Sequence, residues 1–341
     1  MLTVLIVGYG SVGKRHINNL LTFSEIRIIL LTNRKKIDQT DFKNFSASTI
    51  CDRIEITNSI DRCLLKKPDI AIISNETSYH IKIATKIASQ GIDLFIEKPL
   101  SNSLRNVKNL VNIAREKKLV TMVGCNFRFY PPFKRIKELL DAKKIGRILS
   151  VRIENGSYLP DWHSCENYQS SYAARQDLGG GVTLTQIHEL DYLYWFFGLP
   201  HEVFSIIGKF SNLKISADDL CCSIMKYPTF IAEIHLDYFQ RPYFKSCKIK
   251  GTKGVISWNS ETNQVRIFDS TKKRWKTSFI SKNYSLNSSA VNNMYMEEMT
   301  YFLQCVKKRK SSINEIGQAK ELLELVISMK KSSNLKKMIK I

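Results

Sequence analysis

The first 125 residues alternate between short apolar runs and amphipathic segments. The amphipathic segments predict helices at Lys14–Leu21, Tyr79–Ser89 and Leu104–Lys117. Because runs that are apolar throughout are typical of strands buried on both faces, the pattern predicts a parallel sheet in a doubly wound α/β domain. The predicted strands are Val4–Val7, Ile26–Leu31, Ile70–Ile73, Leu94–Ile96 and Val120–Val123.

The pattern changes after a predicted helix at Pro131–Ala142. From Arg147 onward, apolar and polar residues alternate, which predicts a mostly antiparallel sheet with one face against a helix at Val182–Phe197. We therefore predict one domain over residues 1–125 and a second over 126–341. The second domain's predicted strands are Ile148–Tyr158, His201–Phe210, Cys221–Tyr227, Phe230–Phe239, Ser246–Ile249, Val255–Trp258 and Val265–Phe268, and its last helices are Asn292–Lys308 and Glu315–Lys331.

Charge and cysteine content narrow the classes of function. The chain has 341 residues and a net charge of +21, which suits nucleic acid, an anionic membrane or small anionic ligands. No nucleic-acid motif and no apolar run of about 18 residues is present, so we expect neither of the first two partners. The eight cysteines include no C-x-x-C pair, so we expect no metal site and no disulfide framework. The N-terminus does not resemble a signal peptide. Together with the unpaired cysteine pattern, this predicts a cytoplasmic protein.

A glycine-rich turn follows the first predicted strand. It has the pattern G-x-G-x-x-G and consists of Gly8, Tyr9, Gly10, Ser11, Val12 and Gly13. Gly8 allows a tight turn, Gly10 lets a pyrophosphate approach the backbone, and Gly13 lets the helix pack closely on the strand. In this strand–turn–helix context the motif predicts a dinucleotide site, and an ordinary glycine turn is the alternative.

The end of the second strand bears on which dinucleotide is bound. An NAD site usually has a carboxylate there for the ribose 2′-hydroxyl, but this chain has Asn33 and Arg34, with lysines at 35 and 36 and the first carboxylate at Asp38. A cationic cluster suits a 2′-phosphate, so the sequence favours NADP over NAD. The alternative is that Arg34 belongs to a solvated loop.

Lys98 follows the fourth predicted strand, between Glu97 and Pro99. Strand ends in a doubly wound sheet face the ligand crevice. A lysine at that edge can hold and polarise a substrate hydroxyl. The alternative is a surface lysine without a role in chemistry.

Several motifs occur in order along the chain, and together they resemble the Gfo/Idh/MocA family of NAD(P)-dependent oxidoreductases. They are Gly8–Gly13, Glu97–Leu100, Gly124–Pro131, Gly179–Gly181 and Ile187–Asp191. The resemblance implies an N-terminal Rossmann domain, a C-terminal α/β domain with a large open sheet, and a homodimer or homotetramer. It also implies that Lys98 and His188 are the catalytic pair. His188 would be the base, and Lys98 would orient the hydroxyl and stabilise developing alkoxide.

The chain departs from the family pattern before His188. Family members commonly carry an Asp three or four residues earlier, where this chain has Leu184 and Thr185. A weaker base, a different proton path or loss of catalysis would each follow from that change. The alternative function is therefore a non-catalytic dinucleotide-binding regulator of a protein partner.

Further residues are predicted to line the site. The segment from Tyr158 resembles a loop of family members tied to bacterial surface sugars, including sialic-acid-like ones, which suggests a sugar, sugar acid or nucleotide sugar as substrate. Each predicted substrate contact could equally be a packed aromatic or a surface arginine. Those contacts are Lys98, Arg128, Tyr158, Trp162, Arg175, Thr185 and His188. The predicted cofactor contacts include the glycine turn, Asn33 and Arg34. The others are Ser74, Asn75, Thr77, His80, Glu97, Lys98 and Asn126.

Overall fold

The computed structural model describes residues 2–34, 37–42, 45–162, 167–280 and 288–341. The chain divides into two compact units. The first comprises Met1–Gly124 and Tyr295–Lys320, and the second comprises Cys125–Met294 and Glu321–Ile341. The predicted boundary at residue 125 stays a prediction, and the structure groups a late segment of the chain with the first unit.

The first unit contains a six-stranded, wholly parallel sheet in the order β3-β2-β1-β4-β5-β6. Its strands are β1 (Leu2–Val7), β2 (Ile26–Leu31), β3 (Ile54–Thr57), β4 (Ile70–Ile73), β5 (Asp93–Glu97) and β6 (Thr121–Gly124). Its helices are α1 (Ser11–Leu21), α2 (Ala47–Arg53), α3 (Ile60–Leu65), α4 (His80–Ala88) and α5 (Val107–Glu116). This strand order is that of a Rossmann domain, which confirms the predicted fold.

The order of the strands decides where a ligand can enter. The chain leaves β1 toward β2 on one side and returns to β4 on the other, so the connections diverge between β1 and β4. Ligands of open α/β sheets bind at the carboxyl ends of the strands at such a point. The residues of β4 are all buried, as expected of a strand covered by helices on both faces.

The strand β3 and its flanking helices were not predicted. Of the four residues of β3, only Ile54 is buried, because this strand lies at the edge of the sheet. A short edge strand with three half-covered residues and alternating apolar and polar side chains has no continuous apolar run to reveal it.

The end of helix α9 (Ser288–Lys308) and the start of α10 (Ile316–Leu335) belong to the first unit. The ring of Phe302 lies 5.5 Å from that of Phe95 on β5. Between the two helices, the Asn314 carbonyl accepts the backbone N–H of Val123, and the Asn314 side-chain amide donates to the Val123 carbonyl, both at 2.9 Å. The contacts join residues about two hundred positions apart, so no local pattern could have indicated them.

The second unit is built on a nine-stranded sheet in the order β14-β13-β12-β11-β7-β10-β9-β8-β15. The pair β7–β10 is parallel and the other recorded pairs are antiparallel, which confirms a mostly antiparallel sheet. Its strands are β7 (Ile148–Gly156), β8 (Glu202–Gly208), β9 (Leu220–Lys226), β10 (Ile231–Asp237), β11 (Phe244–Gly251), β12 (Gly254–Asn259), β13 (Gln264–Asp269), β14 (Arg274–Ile280) and β15 (Ile339–Lys340). Its helices before α9 are α6 (Pro131–Asp141), α7 (Val182–Thr185) and α8 (His188–Phe197).

The predicted helix at Val182–Phe197 is wrong in one respect. It is two helices, α7 and α8, separated at Gln186, whose backbone angles are φ −94° and ψ 33°. The Gln186 side-chain amide donates to Ser157 Oγ and to the Asp237 carbonyl, both at 3.2 Å. These bonds hold the break in place, and they make His188 the first residue of α8.

Among the described residues, no helix combines the length and the apolar character that crossing a membrane requires.

A buried ion pair ties together two elements of the second unit. Arg128 lies in a 3-10 helix over Asn126–Phe129 and donates to both carboxylate oxygens of Asp191 on α8, at 2.7 and 2.9 Å. Both side chains are shielded from solvent. Such a pair is stable only while both charges are present.

We predict that Asp191→Asn lowers the free energy of unfolding by about 3–5 kcal/mol, since it leaves the Arg128 charge buried without its anion. Urea unfolding measures the loss. The matched control is Asp177→Asn, which removes an exposed pair with Arg175 and should cost about 0.5 kcal/mol or less. Equal losses in the two variants would contradict this interpretation of the buried pair.

Candidate functional site

Three glycines shape the turn between β1 and α1. Gly8 has φ +99°, and a Cβ there would lie 2.8 Å from the backbone nitrogen of Asn75. A Cβ on Gly13 would lie 2.4 Å from the carbonyl oxygen of Gly8. A Cβ on Gly10 would meet no atom within 4 Å. Gly8 and Gly13 therefore allow the close approach of turn, helix and β4, while Gly10 leaves open space beside the backbone at the start of α1.

A cleft of about 920 Å³ opens beside this turn, at the carboxyl ends of β1, β2 and β4. Gly8, Tyr9, Asn33, Arg34 and Asn75, all predicted cofactor contacts, line it. Among the described residues, no donor reaches the buried Oδ1 of Asn75. The volume, the open backbone at the turn and the amino-terminal end of α1 fit a bound dinucleotide.

Beside the turn, Asp41 is a carboxylate that sequence reasoning missed. It lies in a 3-10 helix over Gln39–Phe42 and accepts hydrogen bonds from Tyr9 Oη at 2.7 Å and from Lys14 Nζ at 2.8 Å. Burial opposes its charge, but the bonds from Lys14 and Tyr9 hold the pKa of Asp41 below its usual range. Burial and the Asp41 contact raise the pKa of Tyr9. Protein donors thus occupy both Asp41 oxygens.

The cationic segment after β2 is partly described. The Arg34 guanidinium lies 5.4 Å from the centre of the Tyr9 ring and is solvent-exposed. Asp38 accepts the backbone N–H of Thr40 at 2.9 Å within its own loop. The two lysines at 35 and 36 lie outside the described residues. Arg34 is therefore the described cation at the end of β2 that lines the cleft.

Ser74 and His80 join the strand ends that border the cleft. Ser74 Oγ donates to the carbonyl of Val7 at 3.0 Å. His80 is buried, with Nε2 2.9 Å from the carbonyl of Asn75 and Nδ1 3.0 Å from that of Pro99. Burial lowers the pKa of His80. These contacts give Ser74 and His80 structural roles, and their predicted contact with the cofactor stays a prediction, as does that of buried Thr77.

Glu97 fixes the backbone that carries Lys98. One carboxylate oxygen of Glu97 lies 2.7 Å from Nε2 of the buried His16, and the other accepts the backbone N–H of Lys98 at 3.2 Å. Lys98 itself is half-buried. Because Glu97 ends β5, these contacts place Lys98 at the carboxyl edge of the parallel sheet, as predicted for a residue of the ligand crevice.

In the second unit, His188 begins α8 next to a buried ion pair that was not predicted. The His188 ring lies 5.0 Å from the ring of Phe127. The Lys245 ammonium lies 4.0 Å from the same Phe127 ring and 2.6 Å from a carboxylate oxygen of Glu189. Burial alone would lower the pKa of Lys245, but the Glu189 carboxylate outweighs it and raises that pKa. The residue that follows His188, Glu189, therefore carries a buried charge that is paired with Lys245.

Two predicted substrate contacts come together around Tyr238. The Trp162 ring packs edge-on against that of Tyr238 at 5.4 Å, and its Nε1 donates to Ser157 Oγ at 3.1 Å. The buried Thr185 side chain lies close to the Tyr238 hydroxyl. This cluster joins the end of α7 to the segment after β7.

Other predicted substrate contacts have different surroundings. The Tyr158 ring lies under the Arg241 guanidinium at 3.3 Å. Arg175 is exposed and pairs with Asp177 at 2.5 Å. Arg128 is buried on Asp191, and Asn126 is buried in the same 3-10 helix. The partners of Arg128 and Arg175 are structural, so their predicted contact with substrate stays a prediction.

No metal site was predicted. Within the described ranges, no group of three or more His, Cys, Asp or Glu side chains could hold a metal ion. His163 and Cys165 lie outside those ranges.

The fold and the glycine turn define a nucleotide-dependent α/β protein, and comparison with known families identifies its class. A family model described as an oxidoreductase family with an NAD-binding Rossmann fold matches residues 2–125. The model of the GFO/IDH/MocA C-terminal domain matches residues 133–257. The chain therefore belongs to the Gfo/Idh/MocA family of oxidoreductases.

Individual relatives are more distant. The chain is 28% identical over 199 residues to levoglucosan dehydrogenase of Pseudarthrobacter phenanthrenivorans. That match covers 56% of this chain and 50% of the relative. It is 27% identical over 142 residues to the putative oxidoreductase YteT of Bacillus subtilis, and that match covers 41% of this chain and 33% of the relative. The matches thus span half or less of these curated relatives.

Solved structures share the fold. A levoglucosan dehydrogenase in complex with NADH and levoglucosan has a TM-score of 0.83 at 17% identity, over 100% of this chain and 99% of that one. An oxidoreductase from Agrobacterium radiobacter in complex with NAD+, L-tartaric acid and magnesium has a TM-score of 0.81 at 16% identity, over 99% and 98%. At such identities the likeness concerns the fold.

We predict that Gly10→Ala weakens NADH and NADPH binding by about ten-fold or more. The added methyl group would occupy the space that the pyrophosphate needs beside the backbone. The hydrogen bonds that a charged ligand would lose there are worth roughly 1.5–3 kcal/mol. A fluorescence titration measures the affinity. The thermal midpoint should not change, since the added Cβ meets no protein atom. The control Gly317→Ala, also in open space, should leave affinity intact, and unchanged affinity in Gly10→Ala would contradict a pyrophosphate at this turn.

Proposed function

We propose that the protein is an NAD(P)-dependent oxidoreductase that moves a hydride between nicotinamide and a secondary hydroxyl or keto carbon. The observation that carries the proposal is the glycine turn at the carboxyl end of β1, with open space beside Gly10 and a cleft of about 920 Å³. Membership of the Gfo/Idh/MocA family supports the same activity.

The chain's own residues would hold the dinucleotide. The bound nicotinamide accepts or donates the hydride. The open backbone at Gly10 and the amino-terminal end of α1 would receive the pyrophosphate. Arg34, at the end of β2, would pair with a 2′-phosphate, so we propose NADP as the preferred form and NAD as the alternative.

Lys98 and His188 would act on the substrate hydroxyl. Lys98 orients the oxygen and stabilises negative charge that develops on it. His188 takes the hydroxyl proton. The Glu189 carboxylate that follows His188 is neutralised by Lys245. Since Leu184 and Thr185 stand where the family commonly has an aspartate, we propose that proton removal by His188 is slower here than in those relatives.

A hydroxylated small molecule is the proposed substrate. Related structures hold levoglucosan, L-sorbose or L-tartaric acid, and the aromatic side chains of Tyr158 and Trp162 suit a sugar ring. We propose a sugar, sugar acid or nucleotide sugar, with a role in bacterial surface-glycan synthesis. We also propose a cytoplasmic homodimer or homotetramer with no nucleic-acid or membrane partner.

We predict that Lys98→Met and His188→Asn each reduce turnover by about a hundred-fold or more, the usual range for losing a proton-transfer or positioning group. The assay follows nicotinamide absorbance across a panel of hydroxylated compounds and nucleotide sugars. His188→Asn should keep its dinucleotide affinity, because the glycine turn is unchanged. Lys108→Met, an exposed lysine of α5, is the matched control and should keep full turnover.

The alternative function has its own signature in this assay. Tight dinucleotide binding with no turnover on any compound would contradict the enzyme and favour a regulator that senses the dinucleotide. Turnover that persists in Lys98→Met would instead contradict the proposed catalytic pair.

We predict that Arg34→Gln weakens NADPH binding by about ten-fold while NADH binding changes little, because only NADPH carries the 2′-phosphate and a charge-assisted bond is worth roughly 1.5–3 kcal/mol. Titration of both nucleotides measures the ratio. Lys82→Gln removes a charge from the same cleft and serves as the control. Equal weakening of NADH and NADPH in Arg34→Gln would contradict a 2′-phosphate contact.

A further inference from the structure

His80 connects two segments of the first unit through both nitrogens of its ring. It is the first residue of α4 and is buried. Its Nδ1 lies 3.0 Å from the carbonyl oxygen of Pro99, and its Nε2 lies 2.9 Å from that of Asn75. Pro99 directly follows Lys98, and Asn75 lines the cleft beside the glycine turn. One buried side chain therefore bridges the edge of the cleft and the segment that carries Lys98.

Both partners of the His80 ring are acceptors, although a neutral imidazole carries a single proton. Such a ring has one donor and one acceptor nitrogen, so it can donate to only one of the two carbonyls. The imidazolium could donate to both. Burial opposes that charge and lowers the pKa of His80, although the two carbonyls and the Glu97 carboxylate on β5 favour the charged ring. The ring is therefore neutral near pH 7, and its one proton has two possible positions.

The surroundings of the two carbonyls decide where that proton lies. The contact with Pro99 is buried, whereas the contact with Asn75 is only partly buried, at the border of the cleft. A buried carbonyl that lacks a donor is costly, while a carbonyl that solvent reaches can bond to water. The proton therefore belongs on Nδ1 of His80, where it bonds to the Pro99 carbonyl.

The backbone around Lys98 is thereby fixed on both sides. Before the side chain, one Glu97 oxygen accepts the Lys98 N–H at 3.2 Å, and the other lies 2.7 Å from Nε2 of the buried His16. After it, His80 holds the Pro99 carbonyl. His16 lies on α1, which begins at the glycine turn, and His80 lies on α4, which supplies residues of the cleft. The helices that build the cleft thus also set the backbone of Lys98.

We propose that His80 is a positioning residue, whose Nδ1–H holds the Pro99 carbonyl and so sets the Lys98 ammonium at the carboxyl edge of the parallel sheet. His80 acts through the backbone of the neighbouring segment and not on the substrate. This inference rests on the proposed function, because the position of Lys98 affects a reaction only if Lys98 acts on a substrate.

Two substitutions separate the two contacts of the ring. In His80→Asn the side-chain N–H takes the place of Nδ1 and still faces Pro99, whereas in His80→Gln it takes the place of Nε2 and faces Asn75. We expect His80→Gln to lower kcat by about ten-fold, since displacing a reacting group by about 1 Å can cost that much or more. His80→Asn should keep most of the turnover.

Dinucleotide affinity provides the readout that separates positioning from binding. It should change little in either variant, because the residues that line the cleft are unchanged and His80 is not one of them. The control His201→Asn replaces an exposed histidine of the second unit and should change neither turnover nor affinity.

Two further measurements do not depend on turnover. Nitrogen NMR of the protein with isotope-labelled histidine reports which ring nitrogen carries the proton, and the His80 signal is assigned by its absence from either variant. We expect a protonated Nδ1 at neutral pH. In hydrogen–deuterium exchange, peptides that span Lys98 should exchange faster in His80→Gln than in His80→Asn, because only the former loses the bond to Pro99.

The inference and the proposed function can fail separately. An unsubstituted protein that turns over no compound would contradict the proposed function, while NMR and exchange still decide whether His80 holds the Lys98 segment. An unprotonated Nδ1, or equal turnover in His80→Asn and His80→Gln, would overturn the inference. A loss of dinucleotide affinity as large as the loss of turnover would overturn it too, since His80 would then act on the cofactor. The NMR result applies to the unsubstituted protein, so the test does not depend on how well a variant folds.

Discussion

The close contact between the glycine turn and the end of β4 is the constraint on which the first unit's ligand cleft depends. A Cβ on Gly13 would lie 2.4 Å from the Gly8 carbonyl, and one on Gly8 would lie 2.8 Å from the Asn75 nitrogen. Only hydrogen at these positions lets α1 pack against the turn and lets the turn reach β4. The crevice between β1 and β4 then opens at the carboxyl ends of the strands, where the backbone at Gly10 is accessible. The cleft and the amino-terminal end of α1 follow from that one close approach.

Buried charge has the corresponding role in the second unit. Arg128 and Asp191 join the 3-10 helix after residue 125 to α8, and Lys245 joins β11 to Glu189 at the start of the same helix. Neither pair is expected to contribute much net stability, since removing two charges from water offsets most of their attraction. Their geometry is nevertheless demanding, because each charge needs its partner. We infer that they fix the position of α8, and with it His188.

Much of the architecture could be predicted because it rests on local pattern. Continuous apolar runs predicted the parallel strands, and alternation predicted the antiparallel ones. Local pattern does not reveal β3 and β14, because both are edge strands with partial burial and most β14 residues are exposed. Nor does it reveal the break at Gln186, where apolar periodicity continues while the side chain bonds to Ser157 and to the Asp237 carbonyl.

The sequence by itself determined the class of protein, because a glycine motif between a strand and a helix needs no distant residue to define it. It also determined which residues are candidates for chemistry. Only the tertiary structure decided what surrounds them: Asp41 on Tyr9, Phe127 beside His188, and Pro99 against His80. Each of these contacts joins residues that are separate in the chain. Strand register, helix packing and burial decide which of these side chains come into contact. The order of residues along the chain does not by itself predict such contacts.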